Sequence, residues 1–223
     1  MIIDYNNKEE DYYQHARPEM AELIPETAKF ILDVGCSSGN FGMLLKQKKG
    51  IVVWGIEPNK EASDLAKKKL DRVFCNYFDD NLDLEDQRFD CIIFNDVLEH
   101  LIEPMAALQL CKKILNQNGC VVCSIPNIRY FEAVKHILIE KDFHYTRSGI
   151  FDATHLRFFT KKSIERLFAD SGFFIKTIEG INSLKGYKKR YRLFKRLNFL
   201  LNNKIADMEF LQFAIVAYPS QDS

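Results

Sequence analysis

Two acids and a cluster of small residues mark the stretch of this chain best suited to chemistry. Asp33 lies near the end of an apolar run, Phe30 to Val34, and Glu57 ends a second run, Ile51 to Glu57, 24 residues later. Gly35, Cys36, Ser37, Ser38 and Gly39 come directly after the first run, and beyond Asn40 the residues Phe41, Leu44 and Leu45 fall at helical spacing. That pattern predicts a buried strand, a tight turn and an amphipathic helix. Glycines in such a turn permit positive φ and the close approach of a ligand to the main chain. The turn ends at a helix N-terminus, whose free N–H groups favour acceptor atoms. A carboxylate beside it suits a ligand carrying an ammonium group or hydroxyls. Ligands of open α/β sheets sit at the carboxyl ends of the strands, so an acid ending the next strand is placed for two ribose hydroxyls. Gly35, Gly39 and Gly42 do not make the dinucleotide fingerprint G-x-G-x-x-G, and Asp33 would repel a pyrophosphate. The turn therefore favours a nucleoside without phosphates. The purely structural alternative is that both acids cap the helices that follow them.

Histidine suits proton transfer at neutral pH, and the chain has five. His155, near Asp152 in an aromatic-rich stretch, is the first candidate for a base. His100, after Asn95, Asp96, Val97, Leu98 and Glu99, is the second, and His144 the third. His155 could equally fix its own loop by hydrogen bonds, and Glu99-His100 could only orient a loop. His15 and His136 carry no partner cue.

The elements that must position these residues alternate. Strands are expected at 51–57, 73–75, 89–95 and 120–125, with helices from Pro58-Asn59 to Leu70 and from Glu103 to Asn116. Pro104 sits in the first turn of the latter helix, where proline is tolerated. Asn118-Gly119 reads as the turn into the strand at 120–125. A short helix is expected from Glu19 to Ile24, and Arg17, before Pro18, is disfavoured in the α region. Apolar strands alternating with amphipathic helices imply an α/β, Rossmann-like, doubly wound and mainly parallel seven-stranded sheet. Later segments depart from the alternation: a helix at 127–140, an aromatic and polar stretch at 141–160, and a helix from Thr160 to Ser171. Thr160-x-x-Ser163 falls short of a full capping box. Strands at 173–178 and 208–218, joined by a long connection, suggest a C-terminal antiparallel hairpin. The expected organisation is a single domain over 1–223, with an N-terminal helical segment 1–29 and a lid-like insert 126–160.

Composition bounds the partners. The 31 basic residues balance 31 acidic ones, so overall charge favours no polyanionic partner. The opening Met1-Ile-Ile-Asp-Tyr-Asn-Asn-Lys has neither the basic start nor the apolar core of a secretory signal. No apolar run nears the roughly 18 residues of a membrane span. Six cysteines, mostly in or beside apolar runs, suit buried reduced thiols and a cytoplasmic protein. Cys120 and Cys123 read C-x-x-C, but a strand points such positions to opposite faces, and no metal is expected. Residues 185–204 hold eight basic residues and no acid. Tyr187, Tyr191, Phe194, Leu197 and Leu201 fall there at helical spacing, which fits a surface helix packed by one face. A basic amphipathic helix also fits a peripheral membrane surface or an anionic carrier.

With these motifs in place, the sequence resembles the class I S-adenosylmethionine-dependent methyltransferases. That family's D-x-G-x-G-x-G is matched at Asp33, Gly35 and Gly39, with Ser37 at the middle glycine. The resemblance implies S-adenosylmethionine as cofactor. It implies that Gly35, Cys36 and Gly39 pass under the methionine part and that Asp33 orients the turn or the ammonium. Glu57 and Pro58 would hold the ribose end, and Asn76, Tyr77 and Phe78 would flank the adenine. Asn95, Asp96 and Val97 would line the sulfonium side. The stretch Phe151-Asp-Ala-Thr-His-Leu-Arg-Phe-Phe-Thr160, followed by Ser171-Gly-Phe-Phe174, is similar to a small-molecule branch, several of whose members accompany glycan-assembly enzymes. The adenine-modifying nucleic-acid branch carries N-P-P-Y where this chain has Asn95-Asp-Val-Leu98, so no nucleic acid is expected. O-methylation of a small molecule or glycan follows, with a lid excluding water. Alternatives are a non-catalytic domain that binds S-adenosylmethionine and an NAD-type oxidoreductase.

Overall fold

The computed structural model describes residues 17–220. His15 lies outside the described residues, as does the rest of the N-terminal segment before Arg17. Seven strands form one sheet: β1 (Phe30–Val34), β2 (Val52–Ile56), β3 (Arg72–Phe74), β4 (Phe89–Asn95), β5 (Leu115–Pro126), β6 (Phe173–Ser183) and β7 (Phe210–Pro219). Their order is β3-β2-β1-β4-β5-β7-β6. β7 runs antiparallel to both β5 and β6, while the pairings among β1 to β5 are parallel. The chain moves outward from β1 to β3, then restarts on the other side of β1 with β4. That reversal opens a crevice at the carboxyl ends of β1 and β4, where Asp33 and Asn95 stand.

Helices cover both faces: α1 (Pro18–Ala21), α2 (Asn40–Leu45), α3 (Lys60–Ala66), α4 (Pro104–Ile114), α5 (Phe131–Lys135), α6 (Lys161–Asp170) and α7 (Lys188–Leu200). Alternate strand residues feed two cores. Ile31, Val53 and Ile93 pack with Met20, Leu45 and Ala66 of the first three helices. Leu32, Ile92 and Phe94 pack with Leu108 of α4 and Phe168 of α6. Cys120 belongs to the former core and Cys123 to the latter, the opposite-face placement that their spacing in a strand requires. A third cluster joins Phe131 of α5 to Leu184, Phe194 of α7 and Met208.

Several boundaries differ from the sequence expectation. β5 begins at Leu115, because residues 116–119 form an irregularity within the strand; Leu115 pairs with Phe89 and Cys120 with Cys91. Asn118 takes φ 67° there, so the expected turn is a bulge instead. The helix after Ile125 starts only at Phe131, since Asn127 is held by Leu211 and bridges to Phe159. It then widens to a π-turn over His136–Glu140. α6 does carry a complete capping box: Thr160 Oγ1 accepts from the Ser163 N–H, and Ser163 Oγ accepts from the Thr160 N–H at 2.8 Å. A serine hydroxyl thus serves where glutamate or glutamine is the usual partner.

Candidate active site

A cavity of about 270 Å³ opens at the carboxyl ends of β1, β2 and β4. Asp33, Gly35 and Cys36 line it from β1 and the turn, and Glu57 and Pro58 from the end of β2. Asn76, Tyr77 and Phe78 enter from beyond β3, and Asn95, Asp96 and Val97 from the end of β4. Gly39 stays outside the wall. It takes φ 79° at the N-terminus of α2, and a Cβ there would meet Ala66 Cα at 3.0 Å, so it serves the packing of α2 on α3. Gly35 is the glycine on the wall: it takes φ 69°, and a Cβ would sit 2.6 Å from Val97 Cγ2.

The floor is polar and deeply buried. Asp33 is 2 % exposed, and its Oδ2 has no hydrogen-bond partner among the described residues. Burial, and then the negative charge of Glu57, push the Asp33 carboxyl up to about 7. Burial also raises Glu57, against the lowering effect of two backbone N–H groups. These come from Asn59 to Oε1 at 2.9 Å and from Ser37 to Oε2 at 2.8 Å, and they lock the turn to the end of β2. Each carboxylate oxygen keeps a second lone pair for a ligand hydroxyl. Ser37 Oγ and both amide atoms of Asn95 are likewise buried without partners among the described residues. A wall of orphaned acceptors and donors fits a ligand that brings hydroxyls and an ammonium group.

Among the described residues, one strong cation lines this wall. Arg17, just before Pro18, adopts φ 46°, pairs with Asp96 and Glu19, and donates to Gln212 at 3.3 Å. Asp96 takes φ 55° and accepts from the Ser124 hydroxyl at 2.9 Å and the Gln212 amide at 2.7 Å. Ser37 takes φ 51°. Three non-glycine residues in the left-handed region share one cavity, the kind of strain that collects at functional sites.

The histidines sort by depth. His100 lines the cavity. Its Nδ1 lies 3.0 Å from the Thr154 carbonyl oxygen, and a carbonyl only accepts, so Nδ1 carries the proton and Nε2 is the ring's acceptor. Thr154 is itself held by Asp152, through its hydroxyl at 2.7 Å and its N–H at 2.8 Å. His155 is buried behind His100, ring centroids 4.7 Å apart, with Nδ1 3.0 Å from the Ile150 carbonyl oxygen and Nε2 3.9 Å from Glu99 Oε1. His100 stands on the cavity wall, and His155 and Asp152 stand outside it. Glu99, His100 and His155 also place ligand-type atoms within 4.8 Å of one another, a spacing that suits a proton relay or a cation. His144 lines a separate open cavity of about 460 Å³ with Phe151, and His136 pairs with Glu140 at 2.6 Å. Phe143 meets Tyr145, Phe151 and Phe158 edge-on, so these aromatics pack on one another, while Phe159 enters the main core.

A family model described as a methyltransferase domain matches residues 5–177. The chain belongs to the class I S-adenosylmethionine-dependent methyltransferases. Among curated proteins, the methyltransferase is similar to the ubiquinone biosynthesis O-methyltransferase of Hydrogenovibrio crunogenus, 28% identical over 182 residues, covering 78% of this chain and 74% of that one. A protein of the same name from Coxiella burnetii is 27% identical over 127 residues, 55% of this chain and 53% of that one. The match thus spans about half the length of the Coxiella relative. An S-adenosylmethionine-dependent methyltransferase structure from Archaeoglobus fulgidus superposes with a TM-score of 0.64 at 20% identity, covering 93% of this chain and 96% of that one. Membership of that family implies S-adenosylmethionine as the cofactor. No helix among the described residues is long and apolar enough to cross a membrane.

Sequence reasoning missed Arg17 as a wall residue. Its one visible signal was Pro18, which marks a constrained backbone but says nothing of what the side chain reaches. It also missed Thr154 as the partner of His100, since the two lie 54 residues apart.

Proposed function

We propose that the methyltransferase O-methylates a small molecule or glycan, with His100 taking the proton from the acceptor hydroxyl. The observation that carries this reading is the His100 ring on the cavity wall, its Nδ1–H held by Thr154 so that Nε2 can accept. Bound S-adenosylmethionine supplies a methyl group already activated by its sulfonium. The residues present then need mainly to bind, align and keep water out. In this reading Asp33 takes the ammonium of the methionine part and Arg17 its carboxylate. Glu57 takes the ribose hydroxyls through its spare lone pairs, and Tyr77 and Phe78 flank the adenine with Asn76 at the edge. Asn95, Asp96 and Val97 line the sulfonium side. Asp152 and Thr154 position His100, with His155 behind it. The names of the curated relatives support transfer to oxygen. Residues 126–160 would serve as the lid over the acceptor in one domain spanning the chain.

The test is S-adenosylhomocysteine formation with phenols, catechols and sugars as acceptors. His100→Gln should lower kcat by roughly 10²–10⁴ and flatten the acidic limb of the kcat profile, with cofactor affinity retained. An unchanged kcat removes His100 as the base. The spacing of Glu99, His100 and His155 favours a second use, as ligands of a divalent cation. Activity that survives dialysis against EDTA supports the base. Activity that is lost and then restored by added magnesium or zinc moves His100 to the ligand role.

A further inference from the structure

α7 carries two apolar stripes, and the core uses only one of them. Phe194 is 1 % exposed and meets Phe131 of α5 with ring centroids 5.8 Å apart, and Tyr191 packs beside it. Leu193, Leu197 and Leu200, spaced four and three residues apart, share another side of the helix. They are 52 %, 37 % and 76 % exposed. At about 100° per residue, this second stripe lies roughly 120° round the helix from the buried one. By the same count Lys189 and Arg196 border it on one side and Arg190 on the other. A contiguous apolar stripe in water, rimmed by charge, marks an interaction surface.

We infer that α7 docks the protein onto the surface of an anionic lipid bilayer. Charge complementarity selects that occupant. The chain as a whole is neutral, yet residues 185–204 gather eight basic residues and no acid. A nucleic acid would engage the lysines and arginines and leave the leucines in water. A second copy of the same helix would set like charges against each other. A bilayer takes both features, with leucines entering the headgroup and acyl boundary and cations meeting lipid phosphates. The attachment is peripheral: no helix among the described residues can span a membrane. α7 packs through Phe194 on the same 126–160 segment whose Thr154 holds His100, so docking brings that segment next to the lipid surface.

Co-sedimentation of the full chain with vesicles tests this. The wild type should pellet with phosphatidylcholine vesicles containing phosphatidylglycerol, release in high salt, and stay in solution with phosphatidylcholine alone. Lys189→Gln with Arg192→Gln and Arg196→Gln should lower the partition roughly a hundredfold, at about fivefold per charge. Leu193→Gln with Leu197→Gln and Leu200→Gln should lower it at least about tenfold. Every substituted side chain is exposed, so thermal melts and S-adenosylhomocysteine binding should match the wild type. A triple-leucine variant that sediments like the wild type overturns the proposal. So does a wild type that ignores anionic vesicles, binds single-stranded RNA instead, or dimerises through α7.

Discussion

Replacing Asp33 by asparagine should stabilise the cofactor-free protein while stripping it of cofactor. Asp33 is buried, its Oδ2 has no partner among the described residues, and its carboxyl is raised from 3.8 to about 7, first by burial and then by Glu57. The folded-state value lies above the unfolded one. Between about pH 4 and about pH 7 the folded chain therefore holds more protons than the unfolded chain, and stability falls as pH rises through that window. At about 1.4 kcal/mol per pH unit the fall from this one group reaches about 4 kcal/mol, a sizeable share of a domain's usual 5–15 kcal/mol. Asparagine keeps the shape and removes the charge. Urea unfolding of cofactor-free wild type and Asp33→Asn should give similar stabilities near pH 4 and a variant more stable by up to about 4 kcal/mol near pH 8. Glu57, also raised by burial, leaves a fall of the same sign in the variant. Calorimetry with S-adenosylhomocysteine should show affinity reduced at least about tenfold, the loss of a charged hydrogen bond. Wild-type and variant stability profiles that run parallel, or a variant less stable near pH 8, would refute the reasoning.

Other substitutions probe the frame around that acid. Gly35→Ala forces a Cβ onto a backbone at φ 69° and to within 2.6 Å of Val97 Cγ2. It should cost about 1–3 kcal/mol in a thermal melt and weaken S-adenosylhomocysteine binding in calorimetry. Glu57→Gln turns an NH₂ group toward one of the two N–H donors now held at 2.8 and 2.9 Å. Cofactor affinity should fall about tenfold, a cost of about 1–3 kcal/mol, read in the same calorimeter. Thr160→Ala removes the hydroxyl that accepts the Ser163 N–H at the start of α6. Urea unfolding should show a loss of about 1 kcal/mol with kcat unchanged.

Local rules go far along this chain because its signals are local. The apolar run Phe89 to Asn95 is β4 residue for residue, and Asn59 caps α3 through its side chain, accepting from the Ala62 N–H at 2.9 Å. Gly172, with φ 77°, ends α6. Boundaries slipped where distant partners intervened. Asn127 fits a helical pattern, but its side chain donates to the Asp207 and Phe210 carbonyls, about 80 residues away, and the helix waits for Phe131. The basic helix was expected to bury one face, and Phe194 does so. The second stripe, Leu193, Leu197 and Leu200, becomes visible as exposed only once the first has found α5.

The sequence alone determined the strand, turn and helix that carry Asp33 and Gly35 to the cavity wall. Strand, turn and helix at 30–45, with acids 24 residues apart, need only short-range periodicity and glycine stereochemistry to be read. Tertiary structure decided the rest. It brought Arg17 against Asp96, and it set His100 on the cavity wall with His155 behind it. Those arrangements depend on contacts between residues 54 and 79 positions apart. Which atom faces the cavity there is set by packing across the sheet, and no spacing in the chain encodes it.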